Sequence, residues 1–147
     1  MASEHTAKAF DSDLQELTRL VAEMGGLVER MITESVDALV RRDVALGARV
    51  VAADAEIDRL QHVIEERAVL TIARRQPMAV DLREIVGAMR VATDLERIGD
   101  LAKNMGKRVA ALENDFQPLK LIRGLEHMTD LVQSQVKSNT VSAMLVA

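Results

Sequence analysis

Two pairs of carboxylates repeat at the four-residue spacing that stacks side chains on one face of a helix: Asp54 with Asp58, and Glu96 with Asp100. Four acids at one place repel unless water, a cationic side chain or a metal ion neutralises them. An all-oxygen set suits hard cations such as Mg²⁺, Ca²⁺ or Mn²⁺, and also holds iron. Against a metal stands plain solvent-facing charge. Arg59 and Arg97 adjoin two of the acids in sequence, and acid pairs on exposed helix faces are ordinarily solvated. Spacing alone leaves both open.

Other chemistries have less to work with. The three histidines are His5, His62 and His127, and the residues three before them are Ala2, Arg59 and Gly124. The Glu-x-x-His pairs of di-iron bundles are therefore missing. Cysteine is absent, which removes thiolate nucleophiles, thiolate metal sites and disulfides. Neither a Ser-His-Asp arrangement nor a glycine-rich phosphate loop after a strand is present. Met89, Met105 and Met128 fall on apolar stripes and read as core filler. Arg74-Arg75 and Lys107-Arg108 stand near helix ends, where cations suit the helix dipole. No catalytic residue is assigned.

The elements that must position the acids are helices. Of 147 residues, 48% are apolar, and these are nearly all Ala, Val, Leu, Ile and Met; Phe10 and Phe116 are the only aromatics. That mixture favours helix over strand. A first helix starts near Asp11 or Ser12, with Leu14, Leu17, Val21, Met24, Val28 and Met31 as its stripe and Val36, Leu39 and Val40 extending it. Gly25-Gly26 interrupts this stripe, which points to close approach of a neighbouring helix, with a break in the helix as the alternative. Arg41-Arg42-Asp43 reads as a turn. A second helix from about Val44 to Arg74 carries Val50, Ala53, Ile57, Leu60, Ile64, Ala68 and Thr71, and Gln76-Pro77 ends it. A third runs from near Asp81 to about Leu112, with Leu82, Ile85 and Met89 and then Val91, Leu95, Ile98, Ala102, Met105, Val109 and Leu112 facing inward. Residues 113–118 form a linker, and a fourth helix from Leu121 to about Lys137 presents Leu121, Leu125, Met128 and Val132.

Short connections force neighbouring long helices to run antiparallel. The expected fold is all-α: a long antiparallel three-helix bundle over 10–112, then one further helix, 119–147, of an incomplete second bundle. About the Gln76–Pro77 junction, Asp58 and Glu96 are equidistant to within one residue, and so are Asp54 and Asp100. Each acid of the second helix thus comes level with an acid of the third.

Charge and hydropathy exclude some partners. A net charge of −4 and a pI near 5.4 argue against a general nucleic-acid binder. No run reaches the ~18 apolar residues of a membrane span, and Met1 to Phe10 lack the form of a signal peptide. A cytoplasmic helical protein is expected, touching membranes only through partners.

Pro77-Met-Ala-Val-Asp-Leu-Arg83, then Arg90, then Asp94-Leu-Glu-Arg-Ile-Gly-Asp100 with Asn104, resembles the third-helix signature of the PhoU family. The Phe10–Met31 pattern and Asp54-x-x-x-Asp58 are similar to the same family, so the likeness covers roughly residues 5 to 135. It implies two tandem three-helix bundles, each with a Glu/Asp-x-x-x-Asp metal motif. It implies a non-enzymatic regulator of phosphate homeostasis that couples a phosphate ABC transporter ATPase to a sensor histidine kinase and represses phosphate-starvation signalling. The resemblance further implies a homodimer or higher self-association. It also implies a bound ion (iron, zinc, manganese or magnesium), and by position its ligands are Asp54, Asp58, Glu96 and Asp100. One departure stands out. Only the opening helix of a second bundle follows, and Ser138–Ala147 does not continue the family pattern, as in a shortened chain or an altered reading frame. An unpaired fourth helix would expose its stripe as a self-association surface. Two competing functions are a carboxylate-bridged metal-dependent enzyme and a purely structural helical adaptor.

Overall fold

The computed structural model describes residues 2–112 and 119–146. They form α1 (Ala2–Arg41), α2 (Val44–Arg75), α3 (Val80–Val109), a single 3-10 turn at Ala110–Leu112, and α4 (Leu119–Val146). No strand occurs among the described residues. The 113–118 linker and the side chain of Leu121 lie outside what is described.

The turns follow from local chemistry. At the α1–α2 turn the Asp43 carboxylate accepts from the Leu46 amide at 2.9 Å, capping α2. Gln76 closes α2 in the left-handed region (φ 48), its N–H donating to Ile72 O at 3.0 Å, and Pro77 prevents continuation. Asp81 sits in the first turn of α3, where its charge suits the dipole. Helix α1 starts at Ala2, well before the expected caps Asp11 and Ser12. Residues 2–10 contain no glycine or proline to stop it.

The apolar stripes become the core. Leu17, Val21, Met24, Val28 and Met31 of α1 pack against Val50, Ile57, Leu60 and Ile64 of α2 and Ile85, Ala92, Leu95 and Ala102 of α3. Ion pairs between α1 and α2, Glu34–Arg49 at 3.2 Å and Asp13–Arg75 at 2.9 Å, show the antiparallel run at both ends.

Helix α4 departs from expectation, because it is not unpaired. It lies antiparallel along α1: Gln133 donates to Thr33, Lys137 faces Glu29 at 3.8 Å, and Thr140 packs on Gly25. Val136 and Thr140 are buried there. A Cβ built on Gly25 would meet Thr140 Oγ1 at 2.7 Å, whereas one on Gly26 would meet nothing within 4 Å. The glycine pair thus marks a helix approach, and Gly25 alone makes it. The N-terminal half of α4 stands further off. Met128, expected as core filler, is 61% exposed, and Leu131 and Val132 are exposed beside it. Between this half and the bundle lies an apolar cleft of about 450 Å³, lined by Ile32, Val36, Leu101, Met105, Met128 and Val132 among others.

Candidate cation site

The run Asp94–Asp100 is written for a helix with one buried edge. Leu95 and Gly99 are buried, Asp94 and Arg97 point outward, and Glu96, Ile98 and Asp100 occupy the flanks. Gly99 faces Ile57 of α2, where a Cβ would make an ordinary contact at 3.5 Å. Further along, Gly106 and Gly47 bring the two backbones together. This close pairing carries the acids of α2 up to those of α3.

Of the four predicted acids, the structure joins two. Asp54 on α2 and Asp100 on α3 both contact the ammonium of Lys103. Its Nζ donates to Asp54 Oδ2 at 2.7 Å and also contacts Asp100 Oδ1. The level computed from the hairpin register is therefore real for this pair. Asp58 is exposed and Glu96 half-buried, and neither joins the contact. Arg59 and Arg97 do not neutralise the level either. Arg59 binds Glu56 at 2.6 Å, and Arg97 faces Asp94 at 4.0 Å.

The Asp54 and Lys103 side chains are 14% and 20% exposed, so their contact is partly shielded from water, whereas Asp100 is 46% exposed and meets solvent. The Asp100 and Asp54 carboxylates hold the Lys103 ammonium well above the usual lysine pKa, in that order of effect. One oxygen is left over. Asp54 Oδ1 is buried and has no hydrogen-bond partner.

These observations test the fit of a metal. The donor chemistry suits a hard cation at the Asp54–Asp100 pair, because carboxylates from two helices converge and one oxygen has no partner. The four acids do not form one ligand set here. Among the described residues no three His, Asp or Glu side chains gather closely enough to hold an ion. His62 and His127 are exposed.

Lys103 escaped the sequence reading, although its signal was present. It lies three residues after Asp100, on the same helix face. The same register that levels Asp54 with Asp100 puts it within reach of both.

The sequence and the fold have known counterparts. Residues 21–109 match the PhoU domain family. The chain is 51% identical over 137 residues to a phosphate-specific transport system accessory protein PhoU homolog of Rhizobium meliloti, covering 93% of this chain and 58% of that protein. It is 44% identical over 135 residues to the protein of the same description from Caulobacter vibrioides, covering 92% and 59%. The crystal structure of PhoU from Pseudomonas aeruginosa superposes with a TM-score of 0.81 at 34% identity, over 87% of this chain and 61% of that one. The chain thus spans about three fifths of the length of these relatives.

Proposed function

This chain belongs to the PhoU domain family, and from that premise we propose that it is an accessory regulator of phosphate-specific transport. In this role it couples the transporter's ATPase to a sensor histidine kinase and damps phosphate-starvation signalling when phosphate is plentiful. It acts in the cytoplasm by protein contacts and not by turnover. Residues 10–112 serve as the first of the family's helical repeats, and 119–147 open the next.

The observation that carries this reading is the 51% identity to a phosphate-specific transport system accessory protein over nearly the whole chain. The buried edge and charged flanks of Asp94–Asp100 support it. Absence of a membrane-crossing helix among the described residues is compatible with attachment through partners. In the same reading the cation ligands are drawn from Asp54, Asp58, Glu96 and Asp100, of which Asp54 and Asp100 share a contact in this arrangement and Asp58 and Glu96 stand apart. When bound, the ion would tie α2 to α3.

Deletion of the gene tests the regulator role. Phosphate-starvation genes are expected to rise in phosphate-rich medium and to fall again when this chain is supplied in trans. Unchanged expression on deletion would remove the proposal. Co-purification with the transporter ATPase or the kinase tests the partners separately.

A further inference from the structure

We propose that the groove between α3 and α4 docks an acidic amphipathic helix of a partner protein. Arginines along α3 hold its acids, and the apolar floor takes its apolar face. This surface rests on the reading that the chain acts by protein contacts, and it gives those contacts a place.

Three observations carry it. The groove holds two cavities in succession, of about 380 Å³ and 450 Å³, and Ile98 lines both. Leu14, Val21, Ile32 and Val36 of α1 lie beneath, with Val132 and Val136 of α4 alongside. Leu101, Met128 and Val132 are exposed at the larger cavity, and apolar surface left open in this way marks a site of association.

Second, the charge that lines the groove comes from α3 alone. Arg83, Glu84, Asp94 and Arg108 line the cavities, whereas the described residues of α1 and α4 there are uncharged. Arg83, Arg90 and Arg97 recur every seven residues, about two helical turns, so Arg90 and Arg97 share this edge. Four arginines thus stand against two acids, in a chain whose net charge is −4. Third, these arginines have little to hold. Arg83, Arg90 and Arg108 are exposed and enter no ion pair among the described residues, and Arg97 reaches the exposed Asp94 only at 4.0 Å.

Spacing and shape select the occupant. Seven residues of helix rise about 10.5 Å, so acids at every seventh position of a partner helix meet Arg83, Arg90 and Arg97 in turn. Apolar residues three and four positions further on then face the floor, as in helix-in-groove recognition. A recessed apolar floor suits such a helix better than a flat lipid surface. Nucleic acid would answer the arginines and leave the floor uncovered. For the isolated chain, a second copy is the rival occupant of the apolar part.

The test is a fluorescence-anisotropy titration of the chain with a labelled peptide of about 20 residues, ~30 Å long as a helix. The peptide carries Glu at every seventh position and Leu three and four positions after each; a control peptide replaces Glu by Lys. The acidic peptide is expected to bind at least about tenfold more tightly than the Lys peptide. Arg90→Glu combined with Arg97→Glu should weaken the acidic peptide at least about tenfold and remove that preference. Leu101→Asn should weaken both peptides, while Arg67→Glu, beside Asp13 on the α1–α2 side, leaves binding unchanged. All these substituted residues are exposed, so an unchanged circular dichroism spectrum separates lost docking from a damaged fold. No binding of the acidic peptide, equal binding of the two peptides, or no effect of the arginine reversal overturns the proposal. Vesicles of phosphatidylglycerol supply another arm: if they bind, lose binding on the arginine reversal and the acidic peptide does not bind, the edge belongs to a membrane and the proposal falls. Light scattering addresses the rival. Saturating acidic peptide is expected to convert self-associated chain into a one-to-one complex, and a dimer that excludes the peptide overturns the proposal in favour of a second copy. The gene-deletion test of the regulator role is untouched by each of these failures, so the two readings fail separately.

Discussion

Gly47 and Gly106 face each other across α2 and α3 at backbone contact. A Cβ on Gly47 would sit 2.8 Å from the Gly106 carbonyl oxygen, and one on Gly106 would sit 2.7 Å from that of Gly47. The obstacle in each case is backbone and not a movable side chain, so relief requires the helices to part.

Gly106→Ala is therefore expected to destabilise the bundle despite alanine's better helix propensity. Propensity favours alanine by about 1 kcal/mol, while forced separation of packed helices costs about 1–3 kcal/mol and also pulls Asp54 away from Lys103. Net destabilisation is predicted. Gly26 is the control, exposed with nothing within 4 Å of its built Cβ. Gly26→Ala should gain up to about 1 kcal/mol. Denaturant midpoints of the two variants check the pair, and shifts of the same sign would defeat the distinction.

Much of this fold is legible in sequence because periodicity reports burial. All six stripe residues from Leu14 to Met31, and Val50, Ile57, Leu60, Ile64, Ala68 and Thr71 of α2, are buried. The short Gln76–Pro77 connection carried the register that levels Asp54 with Asp100. What stayed hidden depends on contacts between helices. Gly47 and Gly106 carry no side chain to enter an apolar stripe, and their role exists only where two backbones meet. Lys103 reads as a surface cation until the register is extended to basic residues. Met128 follows α4's apolar spacing, yet α4 meets the bundle through Val136 and Thr140 and stands off at Met128.

Docking of α4 is predicted to hinge on Gly25 and Thr140. The Thr140 hydroxyl donates to Val136 O at 2.8 Å, which holds it in place over Gly25. In Gly25→Ala the new methyl collides with that hydroxyl. Amide exchange in α4 around 133–140 should accelerate, while α2 and α3 keep their protection. Adding Thr140→Ala removes the colliding atoms, leaving Thr140 Cβ at an ordinary 3.4 Å, and should restore slow exchange. Continued fast exchange in the double variant would mean that another contact holds the helix.

The Lys103 contact should matter to stability far more than the exposed ion pairs do. Lys103→Met leaves the largely buried Asp54 without its counter-charge beside the half-exposed Asp100, at an expected cost of about 1–2 kcal/mol, between values for exposed and for fully buried pairs. Arg59 and Glu56 are 55% and 47% exposed, so Arg59→Ala should cost less than about 1 kcal/mol. Combining Asp54→Asn with Lys103→Met should recover part of the loss, because the repulsion goes with the charge. A double-mutant cycle in denaturant measures that coupling, and a value near zero would show that the two side chains act independently.

Self-association is predicted through the open half of α4. Leu101, Met128 and Val132 are exposed where they line the cleft between α4 and the bundle, and Leu131, exposed as well, lies one helical turn from Met128 on α4. Apolar side chains gathered on one surface favour burial against a second apolar face. Light scattering at micromolar concentration is expected to report a dimer or larger species. Leu131→Glu should shift it toward monomer. Because Leu131 is already 55% exposed, the change should leave helicity and the melting temperature nearly as they were. That combination separates a lost interface from a damaged fold. A parent chain that is monomeric at this concentration would dismiss the surface as an interface, and unfolding of Leu131→Glu would place Leu131 in the fold's own packing.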